Sequence, residues 1–222
     1  MAKKHKEENV ETMIETFSKS EKFFKKNGKA LIATLIVLLL AAAGGFIYYQ
    51  FMYLPEVEEA TDKTAVAEYY FGMGDYETAL QGDGEELGFY GIIDEYGSKA
   101  PASVYLYAGI CELQLQNWEL AIKNLEQYEG EEPILQARAV ACIGHAQVGL
   151  ENYEAALASF EKAANMADNN FAADYLLNAG LVAEKLGQND KALACYEKIK
   201  DMYFQSLVAQ DIDKYIGRIQ NK

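Results

Sequence analysis

Catalysis needs titratable groups that converge, and this chain of 222 residues has few to offer. Of its two histidines, His5 lies in a lysine-rich N-terminal stretch and His145 in the apolar run ARAVACIGHAQVGL. A general base needs a partner that orients it and a proton within reach. No serine, cysteine or carboxylate stands at a spacing that marks such a partner for His145, which reads as a surface or groove histidine. Three cysteines, Cys111, Cys142 and Cys195, sit in apolar helical patterns at no metal-ligand spacing, and their odd count cannot complete a disulfide framework. They read as small buried apolar residues, with a redox pair plus a leftover thiol as the alternative. The run Gly82-Asp83-Gly84-Glu85-Glu86 suggests calcium, but an EF-hand loop needs about six ligand places, the last a glutamate at the twelfth. It reads as a bulged turn. Neither a phosphate-cradling Gly-rich loop with its lysine nor an HExxH helix is present. A formal net charge of −14 argues against nucleic acid, whose phosphates require clustered lysine and arginine. The residues therefore predict no enzyme, no cofactor, no metal site and no small-molecule substrate.

Their spacing carries more information than their chemistry. Gly109, Gly144 and Gly180 recur at intervals of 35 and 36 residues, and Ala121, Ala156 and Ala192 keep the same intervals. Four residues after each alanine comes a bulky side chain: Leu125, Phe160 and Tyr196. A tightly packed helix pair needs a small residue where the helices cross and a large one a turn further on. One such pair cannot bury its own apolar face, so the pairs stack. The polar stretches LENYEAAL and LGQNDKAL have the composition of the turns within the pairs.

The period predicts an all-α solenoid of about four helix pairs. Regular repeats fall at 102–136, 137–172 and 173–204, after an irregular first repeat at about 60–101. In that repeat the interval from Ala79 to Ala121 is 42 residues, about seven too many, and Gly82, Gly84, Gly88 and Gly97 mark a loop with a short helix near Tyr90–Tyr96. At the far end Leu207, Val208, Ile212, Tyr215, Ile216 and Ile219 share a face, which predicts a capping helix over 205–222.

Before the repeats stands a stretch of another kind. Ala30 to Leu54 is twenty-five residues without a charge. As a helix it would reach roughly 37 Å, more than the roughly 30 Å hydrocarbon core of a bilayer. Lys25, Lys26 and Lys29 precede it, and Tyr48, Tyr49, Phe51 and Tyr53 crowd its end like an interfacial belt. The stretch reads as one transmembrane anchor. Residues 1–29 carry eight lysines against five acids, whereas 55–222 carry twelve basic residues against twenty-nine acids. The positive-inside rule then keeps the N-terminus in the cytoplasm and places the repeats across the membrane. A cleaved signal peptide, cut near Ala41-Ala42-Ala43, is disfavoured by the long, partly acidic leader and by the apolar run continuing past the alanines. Val10, Met13, Ile14 and Phe17 recur at helical spacing, which suggests an amphipathic helix on the inner leaflet. Asn27-Gly28 suggests a helix break, and 55–61 an acidic connector.

The repeat pattern resembles the tetratricopeptide repeat (TPR) family over Ala102 to about Met202, with small residues at repeat positions 8 and 20 and a bulky one at 24. It departs from the family in having Asp168 where the consensus proline would stand. The resemblance implies a protein-binding groove lined by the first helix of each pair. The groove positions are Leu106, Ile110 and Leu113, then Ala141, His145 and Val148, then Leu177 and Leu181. Family grooves that grip a chaperone's C-terminal carboxylate carry lysine, asparagine and arginine there; this aliphatic set implies an extended apolar segment or a partner's helix instead. The whole layout resembles the ancillary subunit family of the SecYEG translocon, most of all in forms from the Bacteroidota, through stretches such as ALQGDGEELGFYGIIDEYGSKA and YAGICELQLQNWELAIKNLE. That resemblance implies an inner-membrane protein with a periplasmic repeat domain and three kinds of partner: the Sec translocon, a membrane-anchored prolyl-isomerase-like chaperone and exported polypeptides. A scaffold for outer-membrane protein insertion or cell-wall synthesis is the alternative.

Overall fold

A computed structural model describes residues 2–166 and 169–221, with side chains before Lys25 described only at Ser18 and Glu21. The side chains of Val10, Met13, Ile14 and Phe17, and Asp168 at the consensus proline place, lie outside the described residues. The chain divides into two units, Met1–Pro55 and Glu56–Lys222.

The first unit is the helix α1, Ala2–Tyr48, followed by a π-helical turn over Tyr49–Tyr53. Asn27-Gly28 does not break α1, contrary to the sequence expectation. A mid-helix glycine costs only about 1 kcal/mol, too little to end a helix flanked by lysine, alanine and leucine. The π turn has a local cause. Pro55 has no N–H and its ring crowds the carbonyl of Phe51, so the preceding turn widens. The Leu54 N–H accordingly donates five residues back, to the Tyr49 carbonyl. Among the described residues one helix, Lys25–Met73 when the turn is included, is long and apolar enough to cross a membrane, with a mean hydropathy of 2.6 in its richest stretch.

The second unit is all helical. It begins within α2, Leu54–Met73, so residues 55–61 are helical. Proline is tolerated in a first turn, and Glu56, Glu58 and Glu59 favour a helix N-terminus. The helices α3 (Tyr76–Gln81) and α4 (Phe89–Tyr96) complete the irregular repeat. Three hairpins follow: α5 (Ala102–Gln114) with α6 (Trp118–Glu126), α7 (Pro133–Gly149) with α8 (Tyr153–Met166), and α9 (Phe171–Lys185) with α10 (Asn189–Met202). Each hairpin places its glycine against its bulky residue. A Cβ on Gly109 would lie 2.5 Å from Leu125, one on Gly144 2.9 Å from Phe160, and one on Gly180 2.2 Å from Tyr196. Ala121, Ala156 and Ala192 are fully buried at the same crossings.

The turn within each pair is built alike. Gly74, Gln116, Glu151 and Gly187 all take positive φ, between +58° and +79°. The residue after each sends its N–H back to the helix it leaves: Asp75 to the Tyr70 carbonyl, Asn117 to Glu112, Asn152 to Gln147 and Gln188 to Ala183, at 2.8–3.0 Å. This left-handed C-cap ends the first helix and reverses the chain. The extra residues of the first repeat form a tight loop. Gly82 pairs with Leu87, and a Cβ on Gly88 would fall 2.3 Å from the Gly82 nitrogen. Asp83 caps this loop, accepting from the Glu85 and Glu86 N–H groups at 3.0 and 2.9 Å and from the Tyr70 hydroxyl at 3.1 Å.

The C-terminal cap is shorter than the sequence pattern suggests. A 3-10 turn, Val208–Asp211, leads into α11, Ile212–Gln220. Ile212 and Ile216 are buried against α9 and α10, but Leu207 points outward at 83% exposure, off the capping face. The chain at 203–207 is a turn, not helix, so helical spacing does not govern it.

Candidate binding surface

The eight side chains expected to line a groove do not stay together on an open face. Leu106 and Ile110 are 2% and 6% exposed, in a cluster with Ala139 and Ala146 of α7 and with Phe71 of α2 packed against it. Ala141 is buried as well, in the cluster that runs through α8, α9 and α10. These three are core and not groove. Successive first helices pack directly on one another here, and a side chain at the crossing is taken into the seam. Leu113, Val148 and Leu177 are half-buried on the rims of the same clusters. Only His145 and Leu181 are exposed. The His145 ring stands edge-on to Phe160 with centroids 4.9 Å apart, and partial desolvation of this otherwise exposed side chain lowers its pKa.

Polar groups that spacing did not single out tie these elements together. Glu112 is 3% exposed on α5, where its carboxylate accepts from the Tyr90 hydroxyl and, at 2.7 Å, from the Asn117 amide. Asn124 donates to the Tyr90 oxygen at 3.0 Å. This network fastens α4 to the α5–α6 hairpin, and burial with the Glu112 contact raises the Tyr90 pKa. At the corresponding place on α7, Gln147 accepts from the Ser159 hydroxyl at 2.7 Å. Near the end of α9, Glu184 accepts from the Tyr196 hydroxyl at 2.8 Å and from Arg218 of α11, whose Nε lies 3.2 Å away. The only signal in the sequence was a carboxylate inside an apolar helical stretch. Among the described residues no buried side-chain nitrogen or oxygen lacks a partner.

The cysteines do not converge. Cys111 and Cys195 are buried, Cys142 is half-buried, and all three are free thiols; burial pushes Cys111 up to about 12. Among the described residues no three histidine, cysteine or carboxylate side chains are grouped to hold a metal. On the side of the second helices two clefts open. One of about 450 Å³ lies between α6, α7 and α8, lined by Tyr128, Ile143, Ser159 and Met166 among others. A smaller one of about 280 Å³ lies between α8, α9 and α10, floored by Leu176 and Cys195 and rimmed by Lys191 and Lys198.

The model of the tetratricopeptide repeat family matches residues 137–170 and 173–205, the α7–α8 and α9–α10 hairpins. These two hairpins are thus similar to TPR repeats. No curated protein matches the chain. Among solved structures, the crystal structure of MamA is similar with a TM-score of 0.52 at 18% identity, covering 70% of this chain and 93% of MamA. That likeness is one of fold. The protein is an all-α TPR-type solenoid with a C-terminal cap, preceded by one apolar helix long enough to span a membrane.

Proposed function

We propose that the protein is a membrane-anchored interaction module, held in the bacterial inner membrane by Ala30–Leu54 with its TPR domain in the periplasm. In this role it is an accessory subunit of the Sec translocon that links exported chains to periplasmic chaperones. The observation that carries the reading is the pairing of one long apolar helix with a TPR stack, because repeats of this kind present surfaces to other proteins. The lysines before the span support the orientation. The partner-facing side of the first helices is centred on His145 and Leu181, with Leu113, Val148 and Leu177 at its edges. A photo-crosslinking residue in place of Leu181, in intact membranes, tests the assignment. Adducts with translocon subunits or a membrane-anchored chaperone are expected. Adducts confined to outer-membrane assembly or cell-wall proteins would replace the Sec role with a scaffolding one.

A further inference from the structure

The second helices of the three hairpins carry charges in register. Five and six places after the buried alanine of each crossing stand Glu126 on α6, Glu161 and Lys162 on α8, and Lys198 on α10. Equal places on stacked helices lie at equal height, so these side chains form one row across the outer face. Lys123 lies one turn before Glu126 on the same face, and Asp201 one turn after Lys198. All six are exposed or half-exposed. The two clefts that flank α8 fix the order within the row. Glu126 and Lys162 line the larger cleft, and Glu161 and Lys198 line the smaller. Among the described residues none of the six is held in an ion pair.

From α6 to α10 the row reads Glu126, Lys162, Glu161, Lys198, so its sign alternates. Such a row is its own complement. A half-turn about an axis through α8, between Glu161 and Lys162, lays Glu126 against Lys198 of a second copy and Glu161 against Lys162 of that copy. The same rotation lays Lys123 against Asp201, Gln127 against Glu197 and Ala158 against Asn165. No like charges meet along it. A twofold contact uses one patch twice, and self-complementarity is the condition it imposes.

We infer that the protein pairs with a second copy of itself through α6, α8 and α10, with the two α8 helices antiparallel about the twofold. Ala158 is exposed on α8 and leaves room for the helices to approach. The apolar floors of the clefts, at Val140 and Leu176, can then be covered by lysine stems whose ammonium groups reach the opposing carboxylates. Exposed ion pairs are weak one at a time. Here each of three occurs twice, and one substitution turns two attractions into two repulsions. The contact therefore weakens with salt. It uses the second helices, not the face centred on His145 and Leu181, and does not rest on the role proposed for that face.

The test is the mass of the full chain in non-ionic detergent, measured by light scattering over a range of protein concentrations. A dimer that dissociates at high salt is expected. Lys198→Glu should raise its dissociation constant about tenfold or more, because it sets two pairs of like charges together. The double exchange Glu126→Lys with Lys198→Glu should restore the dimer, since the exchanged row is again its own complement. Restoration also shows that the variants fold. A monomer at every concentration overturns the inference. So does a dimer indifferent to Lys198→Glu, which would associate through the span or another face. Loss in Lys198→Glu without rescue by the double exchange overturns the twofold register and the inference with it. A monomer in which Ala158→Cys crosslinks to a different protein in intact membranes would make this face a dock for that protein instead. The Leu181 crosslinks report on the proposed function separately, so either idea can fail while the other stands.

Discussion

At the residue scale the repeat is decided by volume. Gly144 and Phe160 fit because the glycine has no Cβ; even one would stand 2.9 Å from the ring. Gly144→Leu adds four carbons to that crossing and should destabilise the domain by about 1–3 kcal/mol, read as a lower thermal midpoint. An unchanged midpoint would mean that α7 and α8 do not cross there. This part was legible in sequence, because a glycine and a bulky residue recurring together at fixed spacing mark a stack of close helix crossings. Burial on the first helices was not. Ile110 and Leu181 occupy equivalent repeat positions, each directly after its packing glycine, yet one is 6% exposed and the other 39%. The difference lies in the neighbouring pair: α7 covers α5, whereas no further repeat covers α9. Ile110→Asp should therefore unfold the domain, since an unpaired carboxylate would be left in the core. Leu181→Asp should leave the circular dichroism unchanged and weaken partner capture. Normal capture by Leu181→Asp would exclude this face as the docking site.

At the element scale, hydrogen bonds set how the irregular ends join the regular repeats. The Tyr90–Glu112–Asn124 network holds α4, and Arg218 holds α11 by presenting two N–H groups to the two oxygens of Glu184. Neither link was visible in the sequence, because the partners lie 22 to 34 residues apart and Tyr90 and Arg218 stand outside the regular repeats. The helices themselves were visible, as glycine-bounded and amphipathic stretches. Arg218→Ala should cost about 1 kcal/mol and increase amide exchange in α11 more than in α7 or α8. Arg218→Lys should not restore protection, since one ammonium cannot reproduce the forked pair. Full protection in Arg218→Ala would mean that Ile212 and Ile216 alone hold the cap.

At the scale of the whole molecule, charge and length argue for one arrangement. The span is uncharged, eight lysines precede it, and the residues after it carry seventeen more acids than bases. Lysine near a span is retained on the cytoplasmic side, while Asp and Glu contribute little to the choice. In the proposed arrangement the acidity of the domain therefore does not set its side, and the lysines at 25, 26 and 29 do. Two measurements separate these causes. Protease added to spheroplasts should degrade the TPR domain while leaving a membrane-bound N-terminal fragment. Replacing Lys25, Lys26 and Lys29 with glutamine and adding lysines just after Leu54 should protect a share of the domain, because the retained charge then lies on the other flank. A wild-type domain that resists protease without detergent and is cut once detergent is added would reverse the orientation. It would also remove the periplasmic partners from the proposed role, since those partners would then lie across the membrane.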